Sequence, residues 1–534
     1  MAQAFLPAAP RPISALFGRL ELPESIAELR GAASEAGAAS DMCTPDRRPD
    51  ESGRGWHECL RHIESEGRNV VGLNLENAVP IRWPWHEPSM LDILQGTPFD
   101  CLVINWTAGL SAAPVIEAAR RRNLAVVGWI EGAGDHAVTI SAAKSAGLSA
   151  VAIRAFKGNA DIPVIPWSDR TDVPWDSAAP AVAIAGNVWP RVNSTQGGGD
   201  ANAGPTNVPW LDSNGWYIQM ARARLRAPLW MVFDPPGKST VFSAQSYMNA
   251  ITDSEVAGGR WVLSLDADLL AGLAARAQGA LESWKQIAAA ANFFRDRAAW
   301  KSYHSLGLVG VISDFSGPDF EVSGEILNLM ARRDLFFRVI WKPRAEAATF
   351  AGLKALVYAD SAPPDAPLRR KLSDFVEQGG LLVAGPGWGV QGKPAPPDFD
   401  TQFDVRSVGK GRVAVANAAL ADPYQVAVDT QLLLSHRNDL VKVYNAPSSG
   451  CTRYTASADG KKALLQCLSY ADGGRGGGGL RTIWVRDRYA RTRLWAIGAE
   501  PAPIAAQPSD EYSGVEYHLP ASTPRPYLAL EFEV

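Results

Sequence analysis

The sequence predicts an α/β protein: a (β/α)8 barrel, then a flavodoxin-like doubly wound α/β unit, then a small β-sandwich. Three observations carry this. Eight strand-like apolar runs, most followed by helical stretches, fall in roughly 200 residues before residue 305. A second strand–helix alternation restarts at Leu306. From about Asp439 the helical period is gone and only short alternating runs remain. The expected division is an N-terminal arm with helices over 1–65, the barrel over 66–305, the second α/β unit over 306–438 and the sandwich over 439–534.

The barrel strands are read, in order, at Asn69–Glu76, Asp100–Trp106, Leu124–Glu131, Ser149–Phe156, Ile162–Trp167, Ala181–Asn187, Leu229–Phe233 and Arg260–Asp266. They are apolar runs, as parallel strands buried on both faces require. Helices are read at Ala112–Arg122, Ile140–Ala146, through Ala221–Arg224, at Ser243–Val256 and from Leu269 to Tyr303. One connection resists. Only Lys157–Asp161 separates the fourth and fifth runs, and a parallel crossover usually takes a dozen or more residues. Either the barrel is irregular there or Ile162–Trp167 is not one of its strands.

The second unit has strands at Gly307–Asp314, Leu335–Ile340, Leu353–Tyr358, Leu381–Ala384 and Gly411–Ala416. Its helices are Glu325–Arg333 and Ala366–Gln378, the latter stopped by Gly379–Gly380. The last unit reads LVKVYN, KALLQCLSY, RTIWVRD, RLWAIG, VEYHLP and YLALEFEV, with the flexible turn Gly473–Gly479 between two of these strands.

Composition narrows the function. A net charge of −4 gives no electrostatic footprint for nucleic acid or a polybasic membrane contact. No apolar run is long enough to span a bilayer. The first residues, MAQAFLPAAPRP, lack the charged start and apolar core of a signal peptide. The compartment is left open between a secreted or periplasmic mature chain and a cytoplasmic one. Cys451 and Cys467 could pair across two C-terminal strands, and the sequence leaves that open. Of eighteen tryptophans, ten lie between Trp83 and Trp230. Indole faces fill cores, and they also stack on sugar rings.

The longest connection in the barrel follows Ala181–Asn187. It carries Asp200, Asn202, Asn207, Trp210, Asp212, Asn214 and Trp216. Loops after parallel strands hold the chemistry of α/β proteins, and carboxylates, amides and tryptophans together suit a sugar.

Other motifs lack their context. Gly387–Lys393 has phosphate-loop spacing, but Pro394, Pro396 and Pro397 forbid the helix that must follow. The seven histidines form no metal-binding spacing, and no G-x-S-x-G elbow exists. No metal or other cofactor is expected.

The order of units resembles the layout of family 42 glycoside hydrolases, the β-galactosidases, and related barrel hydrolases. The resemblance extends over nearly all of the chain after residue 65. It rests on that layout and on the style of GLVGVISDFSG, FVEQGGLLVAGPGWG and VGKGRVAVAN. It implies an amidotransferase-like middle domain, structural or oligomer-forming, since GPGWG offers no nucleophilic Cys. The family's Asn-Glu pair follows its fourth strand; here that place reads AIRAFKG, with Arg154 and no Glu. The family's acid/base residues are therefore not carried over.

The remaining candidates are strand-end carboxylates: Glu76, Glu131, Asp169, Asp212, Asp234 and Asp266. Cleaving a glycosidic bond needs two carboxyl groups. Asp212 and Asp266 directly precede helices and serve equally well as N-caps. Glu131 follows Trp129, and Asp234 precedes Pro235 and Pro236, so the expected catalytic pair is Glu131 as acid and Asp234 as nucleophile or base. The expected substrate-binding set is Glu76, Trp83, Trp85, Asn105, Trp129, Arg154, Asp169, Asn187, Trp189, Trp210, Asp212, Asn214, Trp216 and Asp266. The leading function is hydrolysis of a polysaccharide or oligosaccharide. The alternatives are a glycan-binding protein on a degenerate barrel and a barrel lyase or isomerase.

Overall fold

Eight parallel strands close into a barrel: β1 (Pro80–Arg82), β2 (Cys101–Asn105), β3 (Ala125–Ile130), β4 (Ala150–Arg154), β5 (Val164–Asp169), β6 (Val182–Ala185), β9 (Leu229–Val232) and β10 (Arg260–Val262). A hairpin, β7 (Arg191–Asn193) with β8 (Trp210–Asp212), is inserted after β6. Closure is made between the first and last strands. The Arg82 amide donates to the Leu263 carbonyl at 2.8 Å, and the Leu263 amide donates to that of Pro80 at 3.1 Å. The computed structural model describes residue 75 and residues 77–534, apart from 108, 111, 133–135, 155, 157, 194–209, 236–240, 419, 421, 445–449, 471–480, 510–512 and 520–525. The arm over 1–65 and the strand read at 69–76 lie outside the described residues, except Leu75, which sits in a turn.

The strands are apolar on both faces because each face meets a core. Cys101, Val103, Val127, Trp129, Ile165 and Trp167 belong to the cluster filling the barrel. Their neighbours Leu102, Ile104, Val126, Val151, Val182 and Ile184 face the helices. Three tryptophans, Trp129, Trp167 and Trp230, fit inside so narrow a barrel because Ala150, Ala152, Ala181 and Ala183 share that interior.

The structure adds one strand, corrects one helix and settles one open alternative. The first described barrel strand is Pro80–Arg82; it opens on a proline and Pro84 follows two residues after it, which conceals a strand in the sequence. The expected helix from Leu269 to Tyr303 is two helices, Ala267–Ala274 and Gln278–Arg295, followed by a 3-10 turn at Ala298–Ser302. The chain breaks at Arg276, which takes φ +57°, so a non-glycine residue supplies the left-handed stop. Third, Val164–Asp169 is a barrel strand, paired in parallel with β4, and the barrel is irregular around it. No helix is described between β4 and β5 or between β5 and β6. Residues 155–163 suffice as a return, because nine extended residues reach about 30 Å while a five-residue strand rises only about 17 Å.

The second unit is a seven-stranded sheet. Its five parallel strands lie in the order Phe337–Trp341, Val309–Ser313, Ala355–Tyr358, Leu381–Ala384 and Gly411–Ala416. The first two chain segments thus exchange places, which is the flavodoxin-like winding. The C-terminal sandwich packs a six-stranded sheet on a four-stranded one. His304–Ser305, leaving the barrel, pairs with Thr455 and Ala456 of the larger sheet. Cys451 stands opposite Leu468, and Cys467 opposite Thr452. One residue out of register, the two thiols leave opposite faces of the pleat, which excludes a direct bridge between them.

Candidate active site

The strand period that fills the barrel also builds its mouth. Two residues beyond Val103, Trp129, Ala152, Trp167 and Val232, on the same inward face, stand Asn105, Glu131, Arg154, Asp169 and Asp234. Arg82, at the end of β1, completes the polar ring. All six sit at the carboxyl ends of parallel strands, where barrel chemistry is placed.

Beneath the ring Trp129 and Trp167 stack, with centroids 4.9 Å apart and planes at 22°. The Trp167 indole donates to the Ile130 carbonyl at 3.1 Å, which fixes its ring. Each indole carries an arginine. The Arg82 guanidinium lies 4.2 Å from the Trp129 centroid and that of Arg154 lies 5.0 Å from Trp167. Each arginine in turn holds an aspartate. Arg82 Nη2 donates to Asp234 Oδ2 at 3.0 Å, and its Nη1 donates to Asn105 Oδ1 at 3.3 Å. Arg154 forms an ion pair with Asp169. The Arg82 side chain is 11 % exposed against 55 % for Asp234. Burial lowers the Arg82 pKa, while Asp234 and Glu131 act to raise it, so both carboxylates lie within its electrostatic reach. Glu131 is exposed and has no hydrogen-bond or ion-pair partner among the described residues. Trp129 is 3 % exposed and forms the floor below Arg82, not a wall beside Glu131.

A pocket of about 350 Å³ opens beside the ring, with Arg82, Asn105, Asp234 and Ser264 on its rim. Trp83 and Trp85 line it, their rings 4.8 Å apart edge to face.

The other expected residues lie elsewhere. Asp212 and Trp216 line a second cavity of about 370 Å³ between the barrel and the second unit, with Glu321, Glu325 and Asn328. Asp212 pairs with Arg191 at 3.3 Å. Burial pushes the Glu325 carboxyl up to about 7. Asn187 and Asn214 are structural. The Asn187 amide donates to Ile184 and Val232 carbonyls, and both Asn187 and Asn214 accept from Arg170. Asp266 caps the helix after it, accepting from the Asp268 and Leu269 amides at 3.0 Å while the Tyr247 hydroxyl donates to its other oxygen at 2.8 Å. Trp189 is core, stacked 3.9 Å from Phe242. Glu76 and the loop residues Asp200, Asn202 and Asn207 lie outside the described residues, as does the side chain of Trp210.

Arg82 was missed by sequence reasoning because its strand was. Its signal was a charged residue between apolar and aromatic neighbours in Pro80–Trp85.

No protein-family model matches the chain, and no curated protein is similar to it in sequence. Solved structures are similar. α-L-Fucosidase isoenzyme 2 from Paenibacillus thiaminolyticus superposes with a TM-score of 0.57 at 10 % identity, covering 85 % of this chain and 99 % of that one. A β-galactosidase from the Antarctic haloarchaeon Halorubrum lacusprofundi gives 0.48 at 11 % identity, covering 86 % and 99 %. A β-galactosidase from Rahnella sp. R3 gives 0.38 at 10 % identity, covering 79 % and 66 %. At 10 % identity the likeness to the fucosidase is one of fold alone. No helix among the described residues is long and apolar enough to cross a membrane.

Proposed function

We propose that this protein is a glycoside hydrolase whose two working carboxylates are Glu131 and Asp234. The observation that carries the reading is the polar ring itself: three carboxylates and two arginines converging at the carboxyl end of a closed barrel, above a tryptophan floor. Asp234 is the nucleophile or base, because the Arg82 guanidinium fixes its orientation and places positive charge beside it. Glu131, solvent-facing and unpaired among the described residues, is the acid that protonates the leaving oxygen. Asp169 is tied to Arg154 on the far side of the same floor and serves in binding. Arg82 and Asn105 offer donors to sugar hydroxyls.

The test is turnover of a panel of glycosides by the purified chain. Release of reducing sugar supports the reading. Binding of sugars with no turnover would favour the glycan-binding alternative.

A further inference from the structure

The pocket beside the ring has two ends of opposite chemistry. Its rim is polar, with Arg82, Asn105 and Asp234, while its inner wall is formed by Ile104, Val115, Leu265 and Leu270. Ile104 belongs to the face of β2 that packs on the helices. Val115 and Leu270 come from the helices Ala113–Arg121 and Ala267–Ala274. The inner end therefore runs outward between sheet and helices, away from the barrel axis. A sugar ring carries hydroxyls on most of its edge, and an apolar wall leaves them unpaired, so this end does not suit a second sugar. Trp83, 3 % exposed, adds an indole to the lining.

We infer that the pocket receives an aromatic aglycone, so that the substrate is the glycoside of an aromatic alcohol rather than a long sugar chain. The sugar lies over the polar ring, and the aromatic ring enters between Val115 and Leu270. Hydrolysis then breaks the bond between the anomeric carbon and the phenolic oxygen. Water supplies the hydroxyl to the sugar, and its proton completes the released alcohol. The inference rests on the glycosidase reading for the sugar half only.

The test uses non-hydrolysable probes, so leaving-group reactivity plays no part. Phenyl and methyl thioglycosides of the same sugar, across several pyranoses, are titrated calorimetrically against the full chain, with phenol alone as a third probe. For at least one sugar the phenyl compound is expected to bind about tenfold or more tighter than its methyl partner. That ratio should fall toward one in Leu110→Trp and in Leu270→Trp, two half-buried positions whose enlargement fills the pocket. Equal affinities in the unaltered chain, or a ratio that survives both variants, would overturn the inference. Phenol binding that both variants abolish, with no thioglycoside bound, would support the aromatic pocket while removing the sugar reading. Failure of phenol and phenyl thioglycosides alike to bind, with methyl thioglycosides bound, would remove the pocket assignment and leave the glycosidase reading intact.

Discussion

The Arg82–Asp234 pair makes an asymmetric prediction about stability. At 3.0 Å, two unit charges attract by about 5.5 kcal/mol at an effective dielectric near 20 and by about 1.4 kcal/mol in water. Asp234 is 55 % exposed, which places the pair toward the aqueous limit, so its coupling should be ~1–2 kcal/mol. The two partners differ in what they leave behind. Asp234→Asn strands a guanidinium that is 11 % exposed and costs ~1–3 kcal/mol. Arg82→Met leaves a carboxylate that water can solvate, removes a buried charge and keeps an apolar stem on Trp129, so its cost should be ~0–1 kcal/mol. Urea unfolding of the two single variants and the double variant, at one pH and salt concentration, yields the coupling directly. The reasoning fails if Arg82→Met is the more destabilising change, or if the coupling is below ~0.3 kcal/mol.

Two further outcomes follow from the packing and the second cavity. Trp167→Ala removes a stacked, hydrogen-bonded indole from the barrel interior and should cost ~3–5 kcal/mol, lowering Tm by about 6–20 °C; a loss under ~1 kcal/mol in calorimetry would show the floor to be loosely packed. Glu325, raised from 4.5 to about 7 chiefly by burial, is favoured protonated in the folded state. Its contribution is complete below the unfolded value near pH 4.5 and is lost as pH rises toward about 7. The shift corresponds to ~3.4 kcal/mol at most, and partial exposure reduces this to ~1–2 kcal/mol. Glu325→Gln should therefore flatten the fall in stability over that window and stabilise the chain at pH 8; an unchanged pH profile in denaturant titrations would count against it.

Much of the fold was legible because its cause is local. Apolar runs such as Leu124–Glu131 declare a strand buried on both faces, and Ala366–Gln378 with its glycine stop declares a helix. The strand Pro80–Arg82 was hidden because three residues that open on a proline carry no periodic signal. Site residues divide along the same line. Asn105, Glu131, Arg154, Asp169 and Asp234 were reachable from strand ends, since inward alternation continues past the last paired residue. Asp212 and Trp216 were not separable from them, because only the path of the hairpin sends those two toward Glu325. Asn187, Asn214 and Asp266 have the chemistry of ligands, yet burial spends their polar atoms on protein partners. Trp189 illustrates the same ambiguity for indoles: strand-end position says nothing of whether the ring turns to the mouth or to the helices.

The central claim is that Glu131 and Asp234 carry the reaction. On whichever glycoside the unaltered chain hydrolyses, kcat for Glu131→Gln and for Asp234→Asn should each fall by about 10²-fold or more, with far-UV circular dichroism unchanged. Near-normal turnover by either variant on that substrate would contradict the assignment.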